Sequence, residues 1–208
     1  VGAKVILTDK LVRQAADNVF SMIGRQLGDG MARKKDSDVL ALYTNLNDGT
    51  KLGATTKELT ADNVAACISV AKANKFGSQL YILHHPNAVA ALAASAAATA
   101  SATTSEISSG WSADLLKNFY SGLRPLNGVS IFEDGNITAD SNNDGIGVIA
   151  DKSAMAALNS VETRTERQRD ASLRATEVVM TADYGVFELD DTRGAGLLYK
   201  ISDLATNN

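Results

Sequence analysis

The sequence predicts an α+β fold. Three observations carry that reading. A long run near the start repeats its apolar residues every three or four positions, the period of a helix. The centre holds a helix–strand–helix unit, and the last third is rich in strands. Helices and strands are mixed without a regular βαβ alternation, which argues against a doubly wound sheet.

Val1 to Leu7 reads as a strand feeding the long helix. Thr8 is a suitable N-cap, with Asp9 in the first turn, where the helix dipole favours an acid. Val12, Ala15, Ala16, Val19, Ile23, Leu27 and Met31 then form the apolar stripe, which resumes at Val39, Leu40 and Leu42. A continuous helix to about Leu46 has roughly 38 residues and a length of about 57 Å. Gly24, Gly28 and Gly30 each weaken an exposed helix by about 1 kcal/mol and make sense where something packs closely. The alternative is two core helices broken at Gly28-Asp29-Gly30.

Asn47-Asp48-Gly49 is a turn. Thr60 caps a helix over about Ala61 to Asn74. Gln79 to His84 is a short buried strand, and Pro86 takes the first position of the next helix, where its missing N–H costs nothing. That helix fades into an Ala/Ser/Thr-rich tract, about Ala93 to Ser105, whose later half reads as a surface loop. Ser112 caps a helix over Ala113 to Ser121. Gly128 to Glu133 and Ile146 to Ala150 are strands, and Ser153 to Leu158 is a small helical turn. From Val161 through Gln168 the chain alternates as a strand. Two more strands follow, about Ala175 to Leu189 and Leu197 to Ile201, around a turn at Asp190 to Gly194.

The 208 residues are 45% hydrophobic and 21% charged, the composition of a folded chain. The net charge of −4 is not the footprint of a nucleic-acid-binding face. The single cysteine, Cys67, forms no internal disulfide and reads as a small buried hydrophobe. No apolar run is long enough for a membrane span. No phosphate loop, dinucleotide fingerprint or nucleophile elbow is present, so no catalytic residue and no cofactor is assigned. His84 and His85 sit at a strand end on opposite faces, so they do not share one metal. Their expected roles are structural, with His85 capping the Pro86 helix.

Two constellations remain. Asp140, Asn142 and Asp144, followed by Gly145 and Asp151, match the spacing of a calcium loop with Asp in the last position. The same Asn-Asn-Asp-Gly stretch also suits a hairpin turn between two strands. The other is the charged run Glu162, Arg164, Glu166, Arg167, Arg169 and Asp170. On a strand, Glu162, Arg164 and Glu166 share one face, and Arg167 and Arg169 share the other. A strand polar on both faces has no core side of its own, which points to a subunit interface.

The order of these elements resembles the major capsid protein of tailed double-stranded DNA bacteriophages, the Hong Kong 97-type fold. The parts that carry the resemblance are the spine helix, the strand–His-Pro–helix segment (QLYILHHPNAVAAL), the strand LNGVSIFED, the arginine-rich VETRTERQRD and the closing strands. The resemblance implies a peripheral domain over residues 1–56 with the spine helix, and an axial domain over 57–158. It also implies a peripheral-domain strand over 159–170 and axial-domain strands over 171–208. Family members carry an N-terminal arm and an extended loop ahead of the spine; both fall outside this sequence.

The implied function is self-assembly through hexamers and pentamers into an icosahedral shell around double-stranded DNA, without enzymatic activity. The implied partners are copies of the chain itself, with decoration, portal and scaffolding proteins, and no membrane. The implied place is the virion, assembled in the host cytoplasm. Two alternatives stand beside it: an encapsulin-type compartment shell, and a calcium-binding module using the 140–151 loop.

Overall fold

A computed structural model describes residues 1–15, 18–101 and 129–201. The expected helix over Ala113 to Ser121 and the last part of the Ala/Ser/Thr tract, 102–105, lie outside the described residues, while the tract up to Ser101 is helical rather than a loop. The chain divides into two compact units. One is Val1–Val39 with Ala157–Phe187, and the other is Leu40–Ala156 with Glu188–Asn208.

The first unit is a three-stranded sheet with helices. Strand β1 (Gly2–Thr8) leads into a short helix α1 (Asp9–Gln14), whose first turn is capped by the Thr8 hydroxyl accepting from the Leu11 N–H. Helix α2 (Val19–Leu42) follows, with the Asn18 side chain accepting from the Ser21 N–H at its start. The run is therefore not one rod of about 38 residues. It ends at Gln14, restarts at Val19 and passes through Gly28-Asp29-Gly30 without a break. The reason is packing: Ile23, Leu27 and Met31 are buried one turn apart and straddle the glycines. They pack with Val178, Met180 and Leu7 in one apolar cluster. A Cβ placed on Gly24, Gly28 or Gly30 would meet nothing within 4 Å, so the close packing expected at these glycines is not supplied by this chain's described residues.

Strands β6 (Met155–Asp170) and β7 (Ala175–Glu188) complete this sheet, in the order β1-β7-β6. Strand β1 pairs antiparallel with β7 over seven residues, from Gly2 opposite Thr181 to Thr8 opposite Ala175. This corrects two expectations. Met155 to Leu158 continue strand β6 rather than forming a helical turn, because ladder pairing overrides their local helical preference. Residues 175–187 belong with β1, not with the closing strands of the other unit, because their alternating apolar face is buried against α2.

The second unit is a five-stranded sheet with two helices. Its order is β2-β8-β5-β3-β4, with β2 (Leu52–Gly53), β3 (Leu80–His84), β4 (Ser130–Glu133), β5 (Asp144–Asp151) and β8 (Gly194–Lys200). Residues 40–56, expected with the spine, lie in this unit. Helix α3 (Ala61–Ala73) is capped by Thr60, whose hydroxyl accepts from the Asn63 N–H, and α4 (Pro86–Ser101) begins at Pro86 as expected. Val64, Ile68 and Ala71 of α3 and Val89 and Leu92 of α4 pack against Ile82, Ile149 and Leu197 of the sheet. Cys67 is buried there, as its pattern predicts, with its Sγ 3.2 Å from the Tyr199 hydroxyl.

Candidate subunit interface

Among the described residues the charged run lies on β6, the outer strand of the three-stranded sheet. Its free edge offers unpaired backbone groups, the usual template for another chain. From Ala157 to Arg169 every residue of β6 is exposed.

The two faces of β6 are used differently. On the face shared by odd-numbered residues, Arg169 grips Asp9 with both guanidinium nitrogens, at 2.5 and 2.7 Å. The Arg169 hydrogen bond holds the Asp9 carboxyl below its usual range, and Asp9 in turn raises Arg169. Arg167 lies 5.2 Å from the centre of the Phe20 ring, a cation–π distance. The Lys35 ammonium donates to the Thr163 hydroxyl at 3.3 Å and sits 5.2 Å from the Tyr184 ring. Tyr184 donates to Asp38 at 2.6 Å, which pushes the phenol up to about 12. This face is therefore tied to α1 and α2 by polar and cation–π contacts while staying exposed, so one face of β6 has partners in its own chain that its sequence did not reveal.

On the other face, Arg164 and Glu166 approach at 3.3 Å, both about two-thirds exposed. Such an exposed pair contributes little to folding. Glu162 makes no ion pair among the described residues. Asp170 closes the turn after β6: its carboxylate accepts from the Ser172 hydroxyl at 2.6 Å and from the Ser172 and Leu173 N–H groups, which lower its pKa. Of the six interface candidates, Arg167, Arg169 and Asp170 already serve the chain's own fold. Glu162, Arg164 and Glu166 lie on the other face, Glu162 in no ion pair among the described residues and Arg164 and Glu166 in an exposed pair with each other. No local signal links Asp9 to Arg169 or Phe20 to Arg167, because 160 and 147 residues separate the two pairs.

The calcium candidates do not form a site. Asp140 accepts from the Asn142 and Asp144 N–H groups at 2.7 and 2.9 Å, the pattern of a tight turn. Asp144 is buried and accepts from the Thr56 N–H with both oxygens. Asp151 accepts from the Gln79 N–H and the Ser153 hydroxyl. Asp144 and Asp151 stand at opposite ends of β5, seven steps of about 3.3 Å apart, or about 23 Å. Among the described residues no group of three or more candidate ligands gathers. The 140–151 segment is a turn and a central strand, not a twelve-residue loop.

The histidines are structural. The His85 Nδ1 accepts from the Asn87 N–H at 3.1 Å, and its carbonyl accepts from Ala88 and Val89, so it caps α4. His84 is fully buried, with Nδ1 accepting from the His85 N–H at 2.9 Å. Burial lowers its pKa to about 4 and keeps it neutral. A Cβ on Gly147 would sit 2.4 Å from the His84 ring, so only glycine fits at that point of β5.

A family model described as phage capsid protein matches residues 1–201. The chain belongs to this phage capsid protein family. No curated protein matches the sequence. A solved structure from Mycobacterium phage Che8 is 17% identical with a TM-score of 0.66, covering 96% of this chain and 69% of its own. A chain of the mature capsid of bacteriophage PhiM1 is 14% identical at TM-score 0.67, covering 100% and 71%. A chain of the holo-SrpI encapsulin complex from Synechococcus elongatus is 13% identical at TM-score 0.72, covering 100% and 76%. The fold of this capsid protein is thus the Hong Kong 97-type fold that its sequence resembles. It is a structural shell protein, and its place is the capsid of a virion.

Proposed function

We propose that this capsid protein assembles through hexamers and pentamers of itself into an icosahedral shell that encloses double-stranded DNA. The observation that carries the reading is the family match over residues 1–201, joined to an outer strand with an exposed charged face. In this reading the unit built on β3, β5 and β8 is the axial domain, and the unit containing α2 and β6 is the peripheral domain. Glu162, Arg164 and Glu166 make contacts between subunits, while Arg167, Arg169 and Asp170 hold the strand in position for them. The chain does no chemistry of its own. Assembly takes place in the host cytoplasm, where portal, scaffolding and decoration proteins join the shell. The acidic balance suits a lining that should not trap packaged DNA.

Negative-stain electron microscopy with light scattering tests this reading. Closed particles of hundreds of ångströms uphold it, and a uniform monomer or small oligomer overturns it. The encapsulin likeness, with the full chain covered at TM-score 0.72, favours a second reading as a compartment shell. Nucleic acid inside the particles supports the virus, and enclosed protein cargo supports the compartment.

A further inference from the structure

The free edge of β6 carries a charge order that is complementary to itself. When two antiparallel strands pair about a two-fold axis, the residue on the axis meets its own copy, and every other pair follows from that choice. Like charges directly opposite destabilise a pairing, and opposite charges support it. Centring on Arg164 sets Arg164 against itself and Glu162 against Glu166. Centring on Glu166 sets Glu166 against itself and Glu162 against Asp170. Both choices are repulsive. Centring on Thr165 sets Arg164 opposite Glu166 twice, with Glu162 opposite the Gln168 amide, Arg167 opposite Thr163 and Arg169 opposite Val161. Arg164 and Glu166 already approach at 3.3 Å within one strand, so two copies close a ring of four alternating charges.

We propose that β6 pairs edge to edge with β6 of a second copy of this chain, antiparallel, about a two-fold axis at Thr165. The two three-stranded sheets then join into one six-stranded sheet, β1-β7-β6 continued by β6-β7-β1 of the second copy. Charged residues on an edge strand ordinarily block such pairing. Here the order of signs blocks the registers centred on Arg164 and Glu166 and admits two, centred on Thr163 and on Thr165; the first sets Glu162 opposite Arg164 but leaves Glu166 opposite Ser160, while the second uses the Arg164 and Glu166 charges that already approach each other. The inference deepens the shell reading and rests on it, because it names the partner and register of one of its contacts.

The test uses Thr165→Cys in the full chain. Cys67 is buried and does not compete. Residues facing each other across an antiparallel pair have Cα atoms about 4.5–5.5 Å apart, inside the range a disulfide bridges. Mild oxidation of assembled particles is expected to give a covalent dimer that a reductant dissolves. Thr163→Cys is expected to give none, because its two copies lie four residues out of register, about 13 Å apart. A charge test stands beside it. Arg164→Glu should cut the Thr165→Cys dimer yield at least tenfold, and adding Glu166→Arg should restore it.

Particles that form without the Thr165→Cys dimer overturn the pairing and leave the shell reading standing. A dimer without particles upholds the pairing and counts against the shell. Neither particle nor dimer overturns both. A dimer from Thr163→Cys in place of Thr165→Cys overturns the register.

Discussion

Strands β5 and β6 are neighbours in sequence and opposites in environment. Seven of the eight residues of β5 are buried, between strands on both sides and beneath helices. None of the sixteen residues of β6 is buried, and one of its edges has no strand partner among the described residues. The difference teaches a division of labour. The unit around β5 makes its stability from its own packing. The unit around β6 keeps a surface whose charges do little for the monomer and are available to another subunit.

The comparison can be broken most forcefully at Ile149, which is completely buried at the centre of the five-stranded sheet. Ile149→Ala should cost about 2–5 kcal/mol, the range for a buried methyl-rich side chain replaced by alanine. Denaturant melts would read it. A cost under about 1 kcal/mol would mean that this sheet is not where stability resides.

The next effect is a pH dependence. His84 titrates at about 4 in the folded chain against 6.5 when unperturbed. Its folded form therefore favours the neutral ring. The stabilisation is full above pH 6.5 and is lost as pH falls through 6.5 towards about 4. That fall corresponds to about 3 kcal/mol. His84→Asn, whose side-chain oxygen can still accept from the His85 N–H, should lose this component of acid sensitivity. An unchanged stability-versus-pH curve in that variant would assign the sensitivity to other groups.

Asp144 offers a smaller test. Asp144→Ala leaves the Thr56 N–H without its acceptor and should cost about 1–3 kcal/mol. A chelator should leave the melting temperature of the parent unchanged. A chelator-induced drop would restore the calcium reading. At Gly28, where a Cβ meets nothing, Gly28→Ala should stabilise the isolated chain by about 0.5–1 kcal/mol. A fall in stability would show that the open space is needed by the chain itself.

How much of this was legible follows the same division. Thr8, Thr60 and Pro86 announced their helices because caps and first-turn prolines act within a few residues. His85 announced its cap for the same reason. The calcium spacing misled because spacing cannot say whether Asp140 and Asp144 will spend their oxygens on nearby N–H groups. The helix break misled in the other direction. Gly28-Asp29-Gly30 is the stronger local breaker, yet burial of Leu27 and Met31 carried the helix through it. The alternation of β6 showed which charges share a face. It could not show that Arg167 and Arg169 reach back to Phe20 and Asp9, because those contacts exist only once α1, α2 and β6 are assembled.

The most direct measurement is made on Arg164→Glu, taking the denaturant melt of the isolated chain and the particle yield from the same preparation. The division of labour predicts a melt within about 0.5 kcal/mol of the parent and a loss of particles. Normal particles would contradict it, and so would a melt that falls as far as that of Ile149→Ala.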